Sequence, residues 1–421
     1  MSPIRASITV IGRRLEAEDH RLRDFLTRIA QPFTWLHADS SEGEQLLQQH
    51  GVVGGTLPVV IEDGTPTQGV RVESLAESWG YLAPPARESY DLIVVGAGPA
   101  GLAAAVYAAS DGLATLVLER DVPGGQASHT SLIENFFGFP EGIGGAELAR
   151  RAGRQAERFG AELVFLRSAT GSRVTEDGHF EVAVTGDLEV SAPVVIAAPG
   201  MDWRQLDLDG IQELLGYGVY YGAGRSEAAQ CGGDEVVVVG AGNSAGQAVF
   251  NLANAGARVT LVVRGDRLGT SMSAYLVDRM EAHPLVDIRL QTQVTQLHEE
   301  GGQLAGVTIE SSDGKTQQRP AQAVFLCIGG LPRTGWCSGA GVQTDSSGYI
   351  LTGPDLLQDG RRSEGWPLAR DPLAMETSRP GMFAAGDVRH GSTKRVAGAV
   401  GDGAASVALA YRRLTELGLS A

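Results

Sequence analysis

Cysteine is scarce. The 421 residues hold three, at positions 231, 327 and 337, and no two of them form a Cys-x-x-Cys pair. That count excludes a disulfide scaffold, and the scatter fits a reducing compartment. No apolar run reaches the ~18 residues of a membrane-spanning helix. The opening MSPIRASITVIGRR lacks the long apolar core and small-residue cleavage site of a secretory signal. Positive charge is also in deficit: 34 Lys and Arg against 50 Asp and Glu give a net charge of −16. Such a balance excludes a general binder of phosphate backbones. The eight histidines show no ligand spacing, so no metal site is expected. These absences predict a soluble cytoplasmic protein with neither nucleic acid nor membrane as partner.

Glycine is what the chain has in excess, with 57 residues, about twice the usual ~7%. They follow no three-residue period, so collagen is excluded, and 43% apolar residues are enough to build proper cores. Length gives a prior of two or three domains. Residues 1–83 read as a small domain: strand near 7–12, helix near 18–30, strand near 33–39, helix near 42–50, strand near 57–61 and helix near 73–79. Glu62-Asp63-Gly64 is a hairpin turn signal, which makes this a sheet of about four strands with flanking helices. A proline-rich linker at 84–89 follows.

From Tyr90 the pattern changes to repeated strand–turn–helix units. The apolar run 92–95 leads into Gly96-Ala97-Gly98-Pro99-Ala100-Gly101, an alanine-rich helix and a strand ending in Glu119. Gly96 permits the tight turn, Gly98 lets backbone amides approach a pyrophosphate, and Gly101 lets helix and strand pack closely. Pro99 and Ala100 open the helix, whose N-terminus favours an anion, and Glu119 can accept a ribose hydroxyl pair. A second unit runs through Gly240-Ala241-Gly242-Asn243-Ser244-Ala245 and a strand at 258–263. Arg264 and Arg267 follow it where an acid is usual, which suits a 2′-phosphate and favours NADPH over NADH. The bland alternative is a pair of solvated arginines beside a degenerate nucleotide fold. Near the C-terminus a strand ends in Gly386-Asp387, ahead of a small-residue helix from Val396. That aspartate suits a ribitol hydroxyl, and the helix start suits a flavin carbonyl.

These motifs, with Pro123-Gly124-Gly125-Gln126, Ile133-Glu134-Asn135-Phe136 and Ala197-Ala198-Pro199-Gly200, resemble the thioredoxin reductase family of FAD-dependent pyridine nucleotide oxidoreductases. The resemblance covers about 90–419. It implies an FAD domain in two segments, 90–204 and 330–421, around an NAD(P)H domain at 205–329, and a homodimer. It also implies that Gly125, Gln126, Asn135, Gly386 and Asp387 contact FAD, and it places Arg395 and Val396 beside the flavin. More loosely, residues 1–83 resemble a glutaredoxin, with Thr56-Leu57-Pro58 at the family's cis-proline loop. The fold class expected is therefore α/β: a thioredoxin/glutaredoxin-like N-terminal domain followed by tandem Rossmann-like FAD and NAD(P)H domains.

Departures from the family pattern limit the chemistry. The reductase Cys-x-x-Cys positions fall on Gly222 and Arg225, and the glutaredoxin pair falls on Glu16 and Asp19. Both acids are read as suiting the start of a helix. Cys231 is the one thiol close to the missing pair and is read as a core residue, with a redox role as the minor alternative. The family's His-Arg-Arg is Val263-Arg264-Gly265, and its Arg-Gln pair is Arg395-Val396. His129 and His390 fall in segments that the family places near the flavin, and both are read as packing or solvated residues. Trp203 and Trp336 are read as packing, and Ser271, Ser273 and Tyr275 as ordinary positions. Glycine at 222 and 224 would leave the ring face uncrowded. The function expected is transfer of electrons from NADPH (or NADH) through FAD to an external acceptor, with a protein acceptor implied by relatives without the disulfide that serve as ferredoxin or flavodoxin reductases. Two alternatives stay open: an FAD-binding scaffold or redox sensor, and a thiol–disulfide reductase using Cys231 or an external thiol.

Overall fold

The computed structural model describes residues 7–14, 16–222, 225–268 and 272–419, so Gly224 and Ser271 lie outside the described residues. The front unit runs β1 (Ile8–Gly12), α1 (Ala17–Arg28), β2 (Thr34–His37), α2 (Ser41–Gln49), β3 (Val59–Glu62), β4 (Thr65–Gln68) and α3 (Val72–Ser78). Its sheet has the order β2-β1-β3-β4, with β1 and β2 parallel and the other pairs antiparallel. Asp63 and Gly64 turn the β3–β4 hairpin with φ of 48° and 81°, the left-handed pair that matches strand twist in a two-residue loop. Ser40 starts α2 by accepting the Gly43 N–H at 3.1 Å. Leu22 and Leu26 on α1 bury against Val10 and Val60, the alternate apolar positions of β1 and β3. The Leu57-Pro58 bond is cis.

The next segment carries β5 (Leu92–Val95), α4 (Pro99–Ser110), β6 (Thr115–Leu118), α5 (Gly145–Arg158), β7 (Glu162–Val164), β8 (Ala169–Val174), β9 (Phe180–Val184), β10 (Leu188–Ala192), β11 (Val194–Ala197) and β12 (Met201–Trp203). A second nucleotide-type unit follows, first β13 (Val219–Tyr221), α6 (Arg225–Ala228), β14 (Glu235–Val239), α7 (Asn243–Asn254), β15 (Arg258–Val262) and α8 (Ala274–Glu281). It continues with β16 (Val286–Arg289), β17 (Thr292–Glu300), β18 (Gln303–Ser311), β19 (Thr316–Pro320), β20 (Ala323–Leu326) and β21 (Gly330–Pro332). The chain then returns to the first unit through β22 (Met382–Ala384) and α9 (Val396–Glu416).

Two five-stranded parallel sheets result, β22-β11-β5-β6-β7 and β13-β20-β14-β15-β16. Their central strands are unbroken apolar runs because both faces are covered, one by helices and the other by a three-stranded antiparallel sheet, β10-β9-β8 in the first unit and β17-β18-β19 in the second. Leu92, Ile93 and Val94 are fully buried in one, and Val236–Val238 are almost so in the other. The antiparallel pair β12-β21 joins the two crossings between the units. Small residues set the α4–α9 distance: a Cβ at Gly403 would fall 2.1 Å from the Ala100 carbonyl oxygen. Among the described residues no helix is long and apolar enough to cross a membrane.

The proline linker does not leave the front unit hanging. Val122 and Leu166 of the first nucleotide unit pack into the front unit's core. On the other side His20 lies 4.7 Å from the Tyr220 ring and 3.5 Å from Glu227, and Arg14 pairs with Asp234. One helix, α1, thus touches both parallel-sheet units.

Candidate functional site

The site begins at the C-terminal edge of the first parallel sheet. Gly96 leaves β5 at φ 104°, and a Cβ there would meet the Ala198 carbonyl oxygen at 2.3 Å. Gly101 is equally constrained, since its Cβ would lie 1.8 Å from the Gly96 oxygen. Gly98 differs. No atom lies within 4 Å of the Cβ it lacks, and it caps α4 with Pro99 in the first turn. The unpaired N–H groups of that turn, with the helix dipole, face open space. Glu119 at the end of β6 is buried and accepts from the Ala97 N–H at 2.7 Å and the Asp121 N–H at 3.0 Å. Burial pushes its carboxyl up, against the pull of those two donors. Glu119 therefore braces the glycine turn itself and keeps acceptor lone pairs beyond those two bonds.

In front of this turn lies a cavity of about 1410 Å³, counting its open mouth. Gly98, Pro99, Ala100 and Glu119 line one wall, and Gly125, Gln126 and Asn135 line the next. Gly386, Asp387, Arg395 and Val396 close it from the returning segment, and Asn243 and Ser244 reach it from the second unit. Gln126 is held by its Nε2, which donates to the Met201 carbonyl at 3.1 Å. Burial raises the Asp387 carboxyl, with nearby Lys394 opposing the rise. Lys394 donates to the Asp387 carbonyl oxygen at 2.6 Å. Asn243 is partly committed, because its Oδ1 accepts the Ser273 N–H at 2.7 Å at the start of α8. Both glycine-turn units thus present a helix N-terminus, of α4 and of α7, to one space. Glu134 and Arg279, 3.1 Å apart, tie the units together nearby.

Other predicted residues lie elsewhere. Gly96 and Gly101 sit beneath the wall, and Gly240 and Gly242 form the second turn without lining the cavity. Gly240 has φ 149°, and its Cβ would strike the Cys327 carbonyl oxygen at 2.3 Å. Arg264 and Arg267 are exposed on the loop after β15. Cys231 is a core residue beside Val236, its thiol pushed by burial up to about 11. Burial likewise pushes Cys327 to about 12 and Cys337 to about 11. None of the three lines the cavity. Gly222 is buried with φ 76°, its missing Cβ 3.4 Å from the Trp203 ring.

Several readings need correction. Trp203 is a cavity wall rather than plain packing, and His129 lines the cavity beside it, ring centroids 6.1 Å apart. Burial lowers the His129 pKa, which keeps the imidazole neutral at pH 7. His390 instead sits half exposed against Asp345 at 2.7 Å, away from the cavity. Asp19 does more than suit a helix dipole: it is 0% exposed and accepts from the Arg13 backbone N–H at 2.5 Å and Nε at 3.2 Å, fixing the loop after β1. Arg28 of the front unit also lines the cavity, and no local signal marks it, because its partner Asp121 is 93 residues away.

Comparison with known proteins supplies the family. The profile described as Pyridine nucleotide-disulphide oxidoreductase matches residues 90–403. The thioredoxin reductase of Bacillus subtilis (strain 168) is 34% identical over 329 residues, 78% of this chain and 96% of that protein. That of Treponema pallidum (strain Nichols) is 34% identical over 321 residues, 75% and 94% of the two chains. The crystal structure of T. acidophilum thioredoxin reductase superposes with a TM-score of 0.68 at 27% identity, over 77% of this chain and 99% of that one. Lactococcus lactis thioredoxin reductase gives 0.68 at 28% identity, over 78% and 99%. The match runs from the strand before the first glycine turn into α9, and the chain belongs to the pyridine nucleotide-disulphide oxidoreductase family of enzymes.

Proposed function

We propose that this protein is an FAD-dependent oxidoreductase that takes electrons from NADPH and passes them to an external acceptor without an internal redox disulfide. One observation carries the reading: a single cavity is walled by the N-termini of α4 and α7 and by Asp387, and no thiol lines it. The residues fit the group. Gly98 leaves room where a phosphate would approach the first turn of α4, and the two helix ends supply donors for anionic oxygens. FAD, when bound, carries two electrons between nicotinamide and acceptor.

Each residue then has a task. Gly98 and the first turn of α4 hold the pyrophosphate, and Glu119 accepts from ribose hydroxyls. Asp387 accepts from a ribitol hydroxyl, while Gln126 and Asn135 fix the polyol chain. Arg395 and Val396 begin α9 and aim its N-terminal N–H groups at a ring carbonyl. Asn243 and Ser244 orient the nicotinamide nucleotide, and Arg264 and Arg267 pair with its 2′-phosphate. Gly222 and Arg225 occupy the family's cysteine positions, so electrons leave directly. The burial of Cys231 argues against a thiol route. The sheet order β2-β1-β3-β4 supports a glutaredoxin-like front domain, with Glu16 and Asp19 in place of its cysteines. Phe137, 95% exposed, supports a covering partner such as a second copy of the chain.

The test is anaerobic. Purified protein should be yellow, NADPH should bleach it within seconds, and a one-electron acceptor dye should restore the colour. A yellow protein that NADPH does not bleach would refute the enzyme and favour a flavin-binding scaffold. Reduction of a disulfide substrate that disappears in Cys231→Ser would refute the thiol-free route.

A further inference from the structure

We propose that the front unit is part of the cofactor site, with Arg28 as a binding residue for the adenosine half of FAD; this rests on the flavin reading above. Arg28 ends α1 and is only 8% exposed, yet its side chain forms part of the cavity wall beside Glu119 and Asp121. It is held from three directions. Nε donates to Ser128 Oγ at 3.0 Å, and Nη1 donates to Asp121 at 2.6 Å and Asp24 at 3.4 Å. In a dinucleotide fold the acid that ends the second strand faces the adenosine ribose, so a cation beside Glu119 marks the adenosine end.

A guanidinium suits that place. It is always charged, stacks flat on an aromatic base and donates in a fixed fork to ribose or phosphate oxygens. It also offsets the carboxylates of Asp24, Glu119 and Asp121, which would otherwise repel an anionic ligand. A second contact comes from the same face of α1, four residues earlier, where Asp24 lies 3.6 Å from His129 Nδ1. Ser128 and His129 belong to the turn that carries Gln126, so α1 clamps a segment already placed at the cofactor. Binding effects between two sites are reciprocal. Whatever docking of the front unit adds to FAD affinity, FAD must return to docking.

The experiment compares full-length wild type, Arg28→Ala and Arg28→Lys, each stripped of flavin and titrated with FAD by fluorescence quenching. Amide hydrogen exchange of α1 is followed with and without FAD. Arg28→Ala should weaken FAD at least tenfold, and Arg28→Lys, which keeps charge but loses the fork, about threefold. FAD should slow α1 exchange in wild type and leave it unchanged in Arg28→Ala. A wild type that takes up no FAD overturns the flavin reading and this inference together. A yellow wild type with Arg28→Ala affinity within twofold, and α1 exchange indifferent to FAD, overturns this inference alone. Should Arg28→Ala not fold, an unaltered affinity in Arg28→Lys overturns it equally.

Discussion

Gly98→Ala separates what the first glycine turn does for folding from what it does for the cofactor. Gly98 has φ −69° and ψ −178°, a conformation open to any residue, and its new methyl would touch nothing. Two small effects act on stability. Alanine at a helix N-cap costs about 1 kcal/mol against glycine, and the stiffer unfolded chain returns ~0.4–1 kcal/mol. The flavin-free protein should therefore melt within ~1 kcal/mol of wild type. The methyl projects into the open space where, on the proposed reading, a phosphate would approach the α4 N–H groups. Loss of one charge-assisted hydrogen bond, ~1.5–3 kcal/mol, predicts FAD binding about 10- to 150-fold weaker. Melting of the apoprotein and an FAD fluorescence titration read the two quantities separately. Gly101→Ala supplies the contrast: its methyl would sit 1.8 Å from the Gly96 oxygen, so stability itself should fall by ~2–3 kcal/mol. Full FAD affinity in a stable Gly98→Ala protein would refute the placement of the pyrophosphate.

Three further outcomes follow from the geometry. With Cys231 and Cys337 pushed to about 11 and Cys327 to about 12, about one thiol in a thousand or fewer is ionised at pH 8. Iodoacetamide should label them only in denaturant, and rapid labelling of the native protein by mass spectrometry would contradict their burial. His129 has a folded pKa lowered from 6.5, so the unfolded chain binds its proton more readily. Its contribution is whole above pH ~6.5 and is lost as pH falls toward the folded value, so His129→Gln should flatten the decline of Tm below pH 6.5. Replacing Arg264 and Arg267 together by Ala should raise KM for NADPH about tenfold and leave NADH unaffected, in steady-state assays with an acceptor dye. An equal rise for both nucleotides would remove these arginines from the 2′-phosphate.

What could be read from the sequence was what local chain geometry decides. Gly96 and Gly101 have no room for a Cβ, as the turn and the helix packing require, while Gly98 has open space, because those demands act within six residues. The strands near 92–95 and 235–239 were legible as apolar runs because parallel strands are buried on both faces. Walls built from distant segments were not legible. Arg28 meets Asp121 across 93 residues, and Trp203 lines the cavity because β12 pairs with β21. Nor does a motif reveal competition for its atoms. Asn243 spends its Oδ1 on the Ser273 amide, and Glu119 spends two lone pairs on its own turn.

Fused domains are usually treated as portable, to be trimmed for expression or exchanged between genes. The position of α1 argues otherwise for this chain. Its Arg28 end is sunk against the segment of Asp121 and Ser128, while His20 meets Tyr220 and Glu227 in the other unit. Excising residues 1–83 would strip Val122 and Leu166 of their cover and leave Asp121 and Asp234 without the arginines they face. A truncated protein would expose an adhesive seam and aggregate, so a gene encoding the catalytic part alone would need substitutions along that seam first.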